Sequence, residues 1–226
     1  HGIVPKTVIK SVRDLMSIAA GEDTAEKRGE VQGLTKQQKA ERIARLEKEM
    51  REAAKMLEFE LAAALRDQII ELRGKWILEQ KNIPYTPHTY DPGAGLDGVS
   101  VARQLGQDRS CVFKTLVARG VSGGLYVFDI PVGDSLDLKK AAKAVGEKSI
   151  AMLHQKELLP LTGYVHGGCS PVGMKKQYPT VFDETAEIID TILVSAGKIG
   201  FQVELAPAAL MELVGASAAD LTVDGL

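Results

Sequence analysis

Residues 35–76 contain no proline and a single glycine, Gly74, and are rich in Ala, Glu, Lys, Arg and Leu, a composition that favours helix. Apolar residues recur every three or four positions on one helical face: Ile43, Leu46, Met50, Ala53 or Ala54, and Leu57. A second stripe begins after Phe59: Leu61, Leu65, Ile69 and Leu72. Two stripes with a break between them predict an antiparallel helical hairpin that ends at Gly74. A single charged helix, or one half of a coiled coil, fits the same spacing.

Residues 77–226 have the pattern of a separate globular domain. Strands are predicted at 112–118, 125–132, 150–153, 180–182, 191–194 and 202–205. Helices are predicted at 100–105, 137–145 and 207–214. Because strands and helices do not alternate strictly, an α+β fold with a mixed or antiparallel sheet suits the pattern better than a doubly wound sheet. The 226 residues therefore divide into one main domain and a small helical module.

Charge is divided unevenly between these two parts. Residues 1–76 carry 15 basic and 13 acidic side chains, and residues 77–226 carry 13 and 17. A domain with this excess of acidic groups is a poor general binder of nucleic acid. Contact with a nucleic acid is therefore expected only at a local basic pocket, for which Lys114, Lys175, Lys176 and Lys198 are the candidates.

Residues 162–176 combine four glycines and a proline with two lysines. Glycine lets backbone N–H groups approach a ligand closely, and consecutive amides of this kind form concavities that bind anions. The amides near Gly167 and Gly168, with Lys175 and Lys176 beside them, suit a phosphate or a developing oxyanion. A surface loop with solvated lysines is the alternative interpretation.

Two further segments offer similar groups. The apolar run 111–118 is interrupted by Lys114 and Thr115, and a lysine in such a run either faces solvent or lies in a cleft that uses its charge. The turn at 194–200 carries Ser195 and Lys198 and adds the amide of Gly197. Together the three segments predict a site that holds a polyanion and stabilises an oxyanion.

Residues 77–224 resemble the YbaK/EbsC family of trans-editing aminoacyl-tRNA deacylases, which is related to the editing domain of bacterial prolyl-tRNA synthetase. The collinear segments that carry the resemblance are His88-Thr-Tyr90, Phe113-Lys-Thr-Leu116, 136–143, 162–176, Ser195-x-Gly-Lys198 and Val203-Glu-Leu-Ala206. The resemblance implies a compact, barrel-like editing-domain fold with flanking helices. It also implies removal of cysteine from mischarged Cys-tRNA(Pro), with tRNA choice supplied by a partner such as prolyl-tRNA synthetase.

The resemblance implies that Lys114 is the functional lysine, with Tyr90, Thr115 and Ser195 around the 3′ end of the tRNA, and the chemistry of the other segments adds the remaining candidates. The expected catalytic residues are Lys114, Thr115, Gly168 and Gly197. The residues expected to bind the 3′ end of the tRNA and its amino acid are Tyr90, Phe113, Gly167, Ser170, Lys175, Lys176, Ser195 and Lys198. The chain departs from the family pattern at four positions: Leu96 replaces an aromatic residue, Ala196 a glycine, Ile199 an arginine and Gln202 the aspartate of some members.

Aminoacyl-tRNA is an ester, so its deacylation passes through a tetrahedral oxyanion, for which one good donor is typically worth ~3 kcal/mol. The family resemblance suggests that the substrate's own thiol attacks the ester, so that the enzyme supplies position and electrostatics. The enzyme is then lyase-like if the thiol cyclises, and a hydrolase if water attacks. A cysteine nucleophile at Cys169 with His166 as base is an alternative, which the usual burial of cysteine disfavours.

The helical segment resembles the UVR motif of the excision-repair protein UvrB. The matching residues are Leu57-Glu-Phe-Glu60, Ala62-Ala63, Leu65-Arg-Asp67 and Ile69-x-x-Leu72, and residues 1–13 resemble the segment upstream in UvrB. The resemblance implies a docking module for a UvrC-like protein, with Leu57, Phe59 and Arg66 as contacts. A GxxxxGK[ST] motif does not occur, so UvrB-type ATP binding is not expected.

The predicted division is a UvrB-like linker at 1–34, a UVR hairpin at 35–76 and a deacylase domain at 77–226. The alternative function is docking on excision-repair machinery, with an inactive or ligand-sensing YbaK-like domain. The histidines and the separated Cys111 and Cys169 lack metal-ligand spacing, so no metal or cofactor is expected. No apolar run reaches membrane-spanning length and no signal peptide is visible, which predicts a cytoplasmic protein. Because the chain begins at His1, it is expected to be a fragment of a longer protein.

Overall fold

The computed structural model describes residues 35–223, so the predicted linker at 1–34 and the last three residues lie outside the described part. The chain divides into two compact units, His1–Leu72 and Arg73–Leu226. Each unit is described by itself.

The first unit contains the predicted helical hairpin. Helix α1, Lys36–Lys55, begins with a capping box in which the Thr35 hydroxyl accepts from the Gln38 amide at 3.3 Å and the Gln38 side chain accepts from the Thr35 amide at 2.8 Å. Helix α2, Phe59–Gln80, follows after a turn. Three buried residues, Ile43, Leu46 and Ile69, pack together with Met50, Leu65 and Leu72. This shared cluster confirms the hairpin over a single isolated helix.

The predicted helix end at Gly74 is wrong. Helix α2 continues through Gly74 to Gln80. A glycine inside a helix costs only about 1 kcal/mol relative to alanine. The next turn offsets that cost because Leu78 is buried in the core of the second unit and Ile77 packs against it.

The second unit is an α+β domain built on two sheets. The smaller sheet has the order β1–β7–β6, and the larger has the order β4–β2–β3–β5–β8. The strands are β1 Thr86–Thr89, β2 Phe113–Gly120, β3 Leu125–Pro131, β4 Ile150–Met152, β5 Thr180–Asp183, β6 Ile192–Ser195, β7 Phe201–Leu205 and β8 Ser217–Ala219. The helices are α3 Gly98–Leu105, α4 Leu138–Ala144, α5 Gln155–Thr162 and α6 Pro207–Val214. Short 3-10 turns occupy Pro92–Ala94 and Glu184–Glu187.

The expected barrel is not closed. Strand pairs β3–β5 and β5–β8 are parallel and the other pairs are antiparallel, so the predicted mixed sheet is confirmed. The two sheets meet at one isolated parallel bridge between Val112 and Leu193. Closure requires every strand to be paired on both sides. Within residues 35–223, the short strands β1, β4 and β8 instead form sheet edges.

Apolar side chains cover both faces of the larger sheet. One core joins Phe113 and Phe182 to Ile192 and Val194 of the smaller sheet and to Leu210 of α6. The second core packs the opposite face against α4, with members Ala118, Phe128, Ile130, Ala141, Ala142, Ile150, Val181 and Leu221. The strands that carry the predicted functional segments are therefore packed on both faces.

Candidate active site

Four polar side chains lie in register across neighbouring strands, and we call Lys114, Ser195, Gln202 and His88 the polar row. Ser195 of β6 pairs with Gln202 of β7, which pairs with His88 of β1. Lys114 joins them because it lies two residues beyond Val112, whose bridge partner Leu193 lies two residues before Ser195. Residues two apart on a strand share a face. The register therefore places these side chains on one face of adjoining strands.

Lys114 is half-buried at the β2 end of the polar row. Its Nζ donates to the backbone carbonyls of Asp134 at 2.6 Å and Val132 at 3.3 Å. Burial lowers the pKa of the Lys114 ammonium, and the charge of the Asp134 carboxylate opposes this shift. Both hydrogen bonds therefore go to neutral carbonyl oxygens, which do not cancel the positive charge that an anionic ligand would meet.

Ser195 is buried, and its Oγ accepts the Gly197 amide at 3.2 Å. The hydroxyl keeps its own proton as a donor. Two of the predicted oxyanion donors are already engaged, because Gly197 donates to Ser195 and the Gly168 amide donates to the Val165 carbonyl at 3.1 Å. The Ser195 hydroxyl is therefore the better placed donor of this turn.

The two predicted glycine-containing segments meet in space. A Cβ at Gly168 would lie 3.4 Å from the Ile199 nitrogen and 3.5 Å from the Gly197 carbonyl oxygen. Nearby, the Tyr90 amide donates to the Gly200 carbonyl at 3.0 Å, and the buried Tyr90 follows directly on β1. The structure thus brings Tyr90, the 195–200 turn and the Gly-rich loop to one end of the smaller sheet.

Other predicted site residues lie away from the polar row. Thr115 alternates with Lys114 along β2, so it faces the opposite side and donates to Asp129 Oδ1 at 2.6 Å. Phe113 is 2% exposed, with its ring centroid 6.4 Å from that of Phe182. Ser170 is also buried, and its Oγ accepts from the Val172 amide at 3.3 Å.

The predicted lysines of the two loops have different surroundings. Lys175 Nζ donates to the carbonyls of Pro160 at 3.2 Å and Leu159 at 3.3 Å, near the end of α5. A lysine that donates to the last carbonyls of a helix stabilises the C-terminal end of that helix. Lys198 Nζ lies 4.5 Å from the centre of the Phe201 ring, and Lys176 is exposed. Gly167 is exposed and adopts φ +82°, so its amide can reach a ligand at the surface.

Sequence reasoning missed Asp129, a fully buried carboxyl on β3. Burial raises its pKa to about 7, and the hydrogen bond from Thr115 opposes that shift. Its Oδ2 has no hydrogen-bond partner within the described residues. Burial, followed by the nearby Asp129 charge, raises the pKa of the Cys169 thiol, which argues against Cys169 as a nucleophile. An acidic residue inside the apolar run 125–132 was the available signal.

A cavity of about 240 Å³ includes Asp134, whose carbonyl accepts from Lys114, and is also lined by Asp183, Glu184 and Asp220. Acidic walls repel phosphate, so this cavity does not suit the end of a tRNA. Within residues 35–223, no group of three or more His, Cys, Asp or Glu side chains is arranged to hold a metal ion. The helices of this part of the chain are too short or too polar to cross a membrane.

The hairpin presents an apolar tip, which we define as Met56, Leu57 and Phe59. These side chains are 73%, 72% and 65% exposed. Leu57 adopts φ +62°, in the left-handed region that favours glycine. The third residue predicted to dock a partner, Arg66, is hydrogen-bonded to the neighbouring Asp67 carboxylate at 2.6 and 2.8 Å.

Comparison with known proteins finds a family match for each of the two parts of the chain. The family described as the aminoacyl-tRNA editing domain matches residues 97–213, and the UvrB/UvrC motif matches residues 40–75. A relative from Enterococcus faecalis, named as a Cys-tRNA(Pro)/Cys-tRNA(Cys) deacylase, EbsC, is 46% identical over 147 residues. That alignment covers 65% of this chain and 90% of the relative.

The first third of the chain matches a different protein. The UvrABC system protein B of the same species is 48% identical over 77 residues, covering 32% of this chain and 12% of that protein. The chain thus spans about a tenth of the length of the UvrB proteins it matches. Among solved structures, one described as a trans-editing enzyme for prolyl-tRNA synthetase has a TM-score of 0.60 at 25% identity, covering 68% of this chain and 97% of that one.

Proposed function

The chain belongs to the aminoacyl-tRNA editing-domain family, and we propose that its second unit is a deacylase that removes cysteine from Cys-tRNA(Pro). The observation that carries the proposal is the polar row, which sets the Lys114 ammonium and the Ser195 hydroxyl on one face of adjoining strands. A cation and a hydroxyl donor so placed suit an ester whose carbonyl oxygen becomes negative. The name of the Enterococcus relative supports cysteine as the amino acid.

Lys114 and Ser195 are given different roles. Because Lys114 Nζ rests on two neutral carbonyls, it can turn to the ester or phosphate oxygens of the tRNA end as a point charge. The Oγ of Ser195 accepts from Gly197, so its O–H points away from that bond and donates to the developing oxyanion. Gly167, Gly168 and the turn at 195–200 shape the wall of the site.

Cleavage needs no protein nucleophile. The thiol sulfur of the cysteinyl group attacks the ester carbonyl carbon, forming the C–S bond of a thiolactone. The bond between that carbon and the 3′ oxygen of the tRNA breaks, and the proton lost by the thiol passes to the 3′ oxygen. The enzyme is then lyase-like. Attack by water on the same carbon makes the enzyme a hydrolase and releases free cysteine.

The test is deacylation of Cys-tRNA(Pro) beside Ala-tRNA(Pro) by the full chain and by its Lys114→Ala variant. Cysteine release that falls at least a hundredfold in the variant, with alanine spared, is the expected result. Lys139→Ala, at an exposed position of α4, is the matched control and should retain full activity. Equal turnover by Lys114→Ala and the parent would sink the role assigned to this lysine.

A second function is carried by the hairpin, which we propose docks a UvrC-type protein through the apolar tip. Exposed apolar groups of this size are uncommon without a binding role, and the UVR match covers the tip. Phe59→Glu should abolish binding of purified UvrC in a titration. Val121→Glu is the matched control, since both side chains are 65% exposed. Binding unaffected by Phe59→Glu, or lost equally in both variants, would contradict docking through the tip.

A further inference from the structure

Gln202 leaves a buried acceptor without a partner in the polar row. The residue is 8% exposed, and its Oε1 has no hydrogen-bond partner within residues 35–223. Its cross-strand neighbours are Ser195 on one side and His88 on the other. A buried carbonyl oxygen without a donor is costly and therefore uncommon in native proteins. At this position the missing donor is best supplied by a ligand.

The polar row has a cation at one end and a carboxylate beside the other end. Lys114 is the cation at the β2 end, where its ammonium donates to the carbonyls of Val132 and Asp134. Beyond Gln202 on the same face of β7 lies Glu204, whose carboxylate contacts His88 Nε2 at 2.7 Å and accepts from Thr191 Oγ1 at 2.9 Å. The hydrogen bonds from His88 and Thr191 lower the pKa of Glu204, so it is ionised at neutral pH. Gln202 lies in the row between Ser195 and His88, beside Glu204 on the same strand.

An aminoacyl ester has the same polarity. Its carbonyl oxygen and the 5′-phosphate of the terminal adenosine are the negative end, and the α-ammonium, on the atom next to the carbonyl carbon, is the positive end. Neighbouring strands lie about 4.8 Å apart, so an ester carbonyl at Ser195 brings the α-ammonium to the next strand, where Gln202 stands. The reverse orientation would set the ammonium against Lys114 and is disfavoured by like charge.

We propose that Gln202 is a specificity-determining residue whose Oε1 accepts an N–H of the substrate's α-ammonium group. This proposal rests on the proposed deacylase function. It adds the orientation of the aminoacyl group, with the ester carbonyl beside β6 and the α-ammonium beside β7. The Glu204 carboxylate favours the same positive charge without contacting it directly. An acyl group that lacks the α-amino group, such as a 3-mercaptopropionyl ester, leaves Oε1 unsatisfied and is rejected.

Binding of unreactive analogues tests the proposal without turnover. The full chain is titrated calorimetrically with 3′-deoxy-3′-cysteinylamino-adenosine and with its counterpart that lacks the α-amino group. The parent should bind the amine about 10- to 100-fold more tightly, the range for a hydrogen bond from a charged donor. Gln202→Met keeps the length of the side chain but removes the acceptor, so this preference should disappear. Gln155→Met, at an exposed position of α5, should retain it.

Three outcomes would overturn the proposal. They are equal binding of both analogues by the parent, no binding of either, and a preference that survives in a folded Gln202→Met variant. Glu204→Gln supplies a further check, because loss of the preference there but not in Gln202→Met would move the ammonium to the carboxylate. Failure of the deacylase function is seen separately, as absence of cysteine release from Cys-tRNA(Pro) by the parent chain.

Discussion

The hairpin and the editing domain expose and bury opposite kinds of group. The hairpin buries apolar Ile43, Leu46 and Ile69 but leaves Leu57 and Phe59 largely in solvent. The editing domain buries polar side chains within its sheets, Asp129, Ser195 and Gln202 among them. An exposed apolar tip suits the partner docking that we propose for the hairpin, whereas buried polar groups suit the chemistry that we propose for the editing domain, because water would weaken it.

The difference also has a cost that can be measured. Burying a polar atom without a full set of hydrogen bonds destabilises a fold, so the editing domain carries penalties within its core. Exposing an apolar side chain costs the fold little stability. Its consequence is instead association with other molecules, which depends on their concentration. The following predictions address this contrast, beginning with the largest effect.

The buried Asp129 makes the stability of the editing domain depend on pH. Burial raises the pKa of this carboxyl from 3.8 to about 7, so the folded state binds the proton more tightly than the unfolded chain. The free energy of unfolding should therefore fall as pH rises from about 4 through 7, by about 4 kcal/mol in total. Asp129→Asn cannot ionise and should lose this dependence.

The measurement is urea denaturation at several pH values, followed by the fluorescence of Trp76, the single tryptophan and a member of the second unit. Asp190→Asn, at an exposed position, is the control and should show the same fall as the parent. A parent protein equally stable at pH 5 and pH 8 would show that Asp129 gains partners that hold its charge.

Local patterns were enough to predict the hairpin, but they were not enough for all of the editing domain. The stripes of the hairpin lie within one stretch of chain, and its cluster of Ile43, Leu46 and Ile69 confirms them. Strand β1 contains Pro87 and strand β8 consists of small residues, so neither carries a strong strand signal. Helix α5 was missed because it contains Pro160 near its end.

The candidate site shows the same limit. The resemblance singled out Lys114, Ser195 and Tyr90, which the structure brings to the smaller sheet. Gln202 and Asp129 owe their burial to strands that are distant in sequence, so no short pattern marks them as unsatisfied. Their importance follows from the register between strands, which a single sequence does not state.

A substitution that creates a cavity in the hairpin core tests whether the packing of the hairpin affects deacylation by the second unit. Ile69 is 4% exposed in the hairpin cluster, and Ile69→Ala should destabilise that unit by about 3 kcal/mol. Thermal unfolding followed by circular dichroism should show early loss of helix, while cysteine release from Cys-tRNA(Pro) persists. Ile188→Ala, at a side chain 85% exposed in the second unit, should alter neither. Loss of cysteine release in Ile69→Ala would show that the reaction needs a folded hairpin.

The smallest expected effect separates stability from docking at the apolar tip. Leu57 holds φ +62°, a conformation that costs most L-residues roughly 1–2 kcal/mol, and glycine adopts it freely. Because glycine also gains freedom in the unfolded chain, Leu57→Gly should stabilise the hairpin by only about 0.5 kcal/mol. The same change removes a side chain that is 72% exposed, so it should weaken UvrC binding.

Asn82 provides the matched control for Leu57, since it adopts φ +52° in the second unit. Asparagine tolerates this conformation better than leucine, so Asn82→Gly should change thermal stability less and leave UvrC binding intact. A Leu57→Gly variant that gains stability yet binds less tightly would show that the tip keeps a strained apolar residue for its partner. Unchanged binding would instead assign Leu57 to the geometry of the turn alone, and docking would then rest on Phe59 and its neighbours.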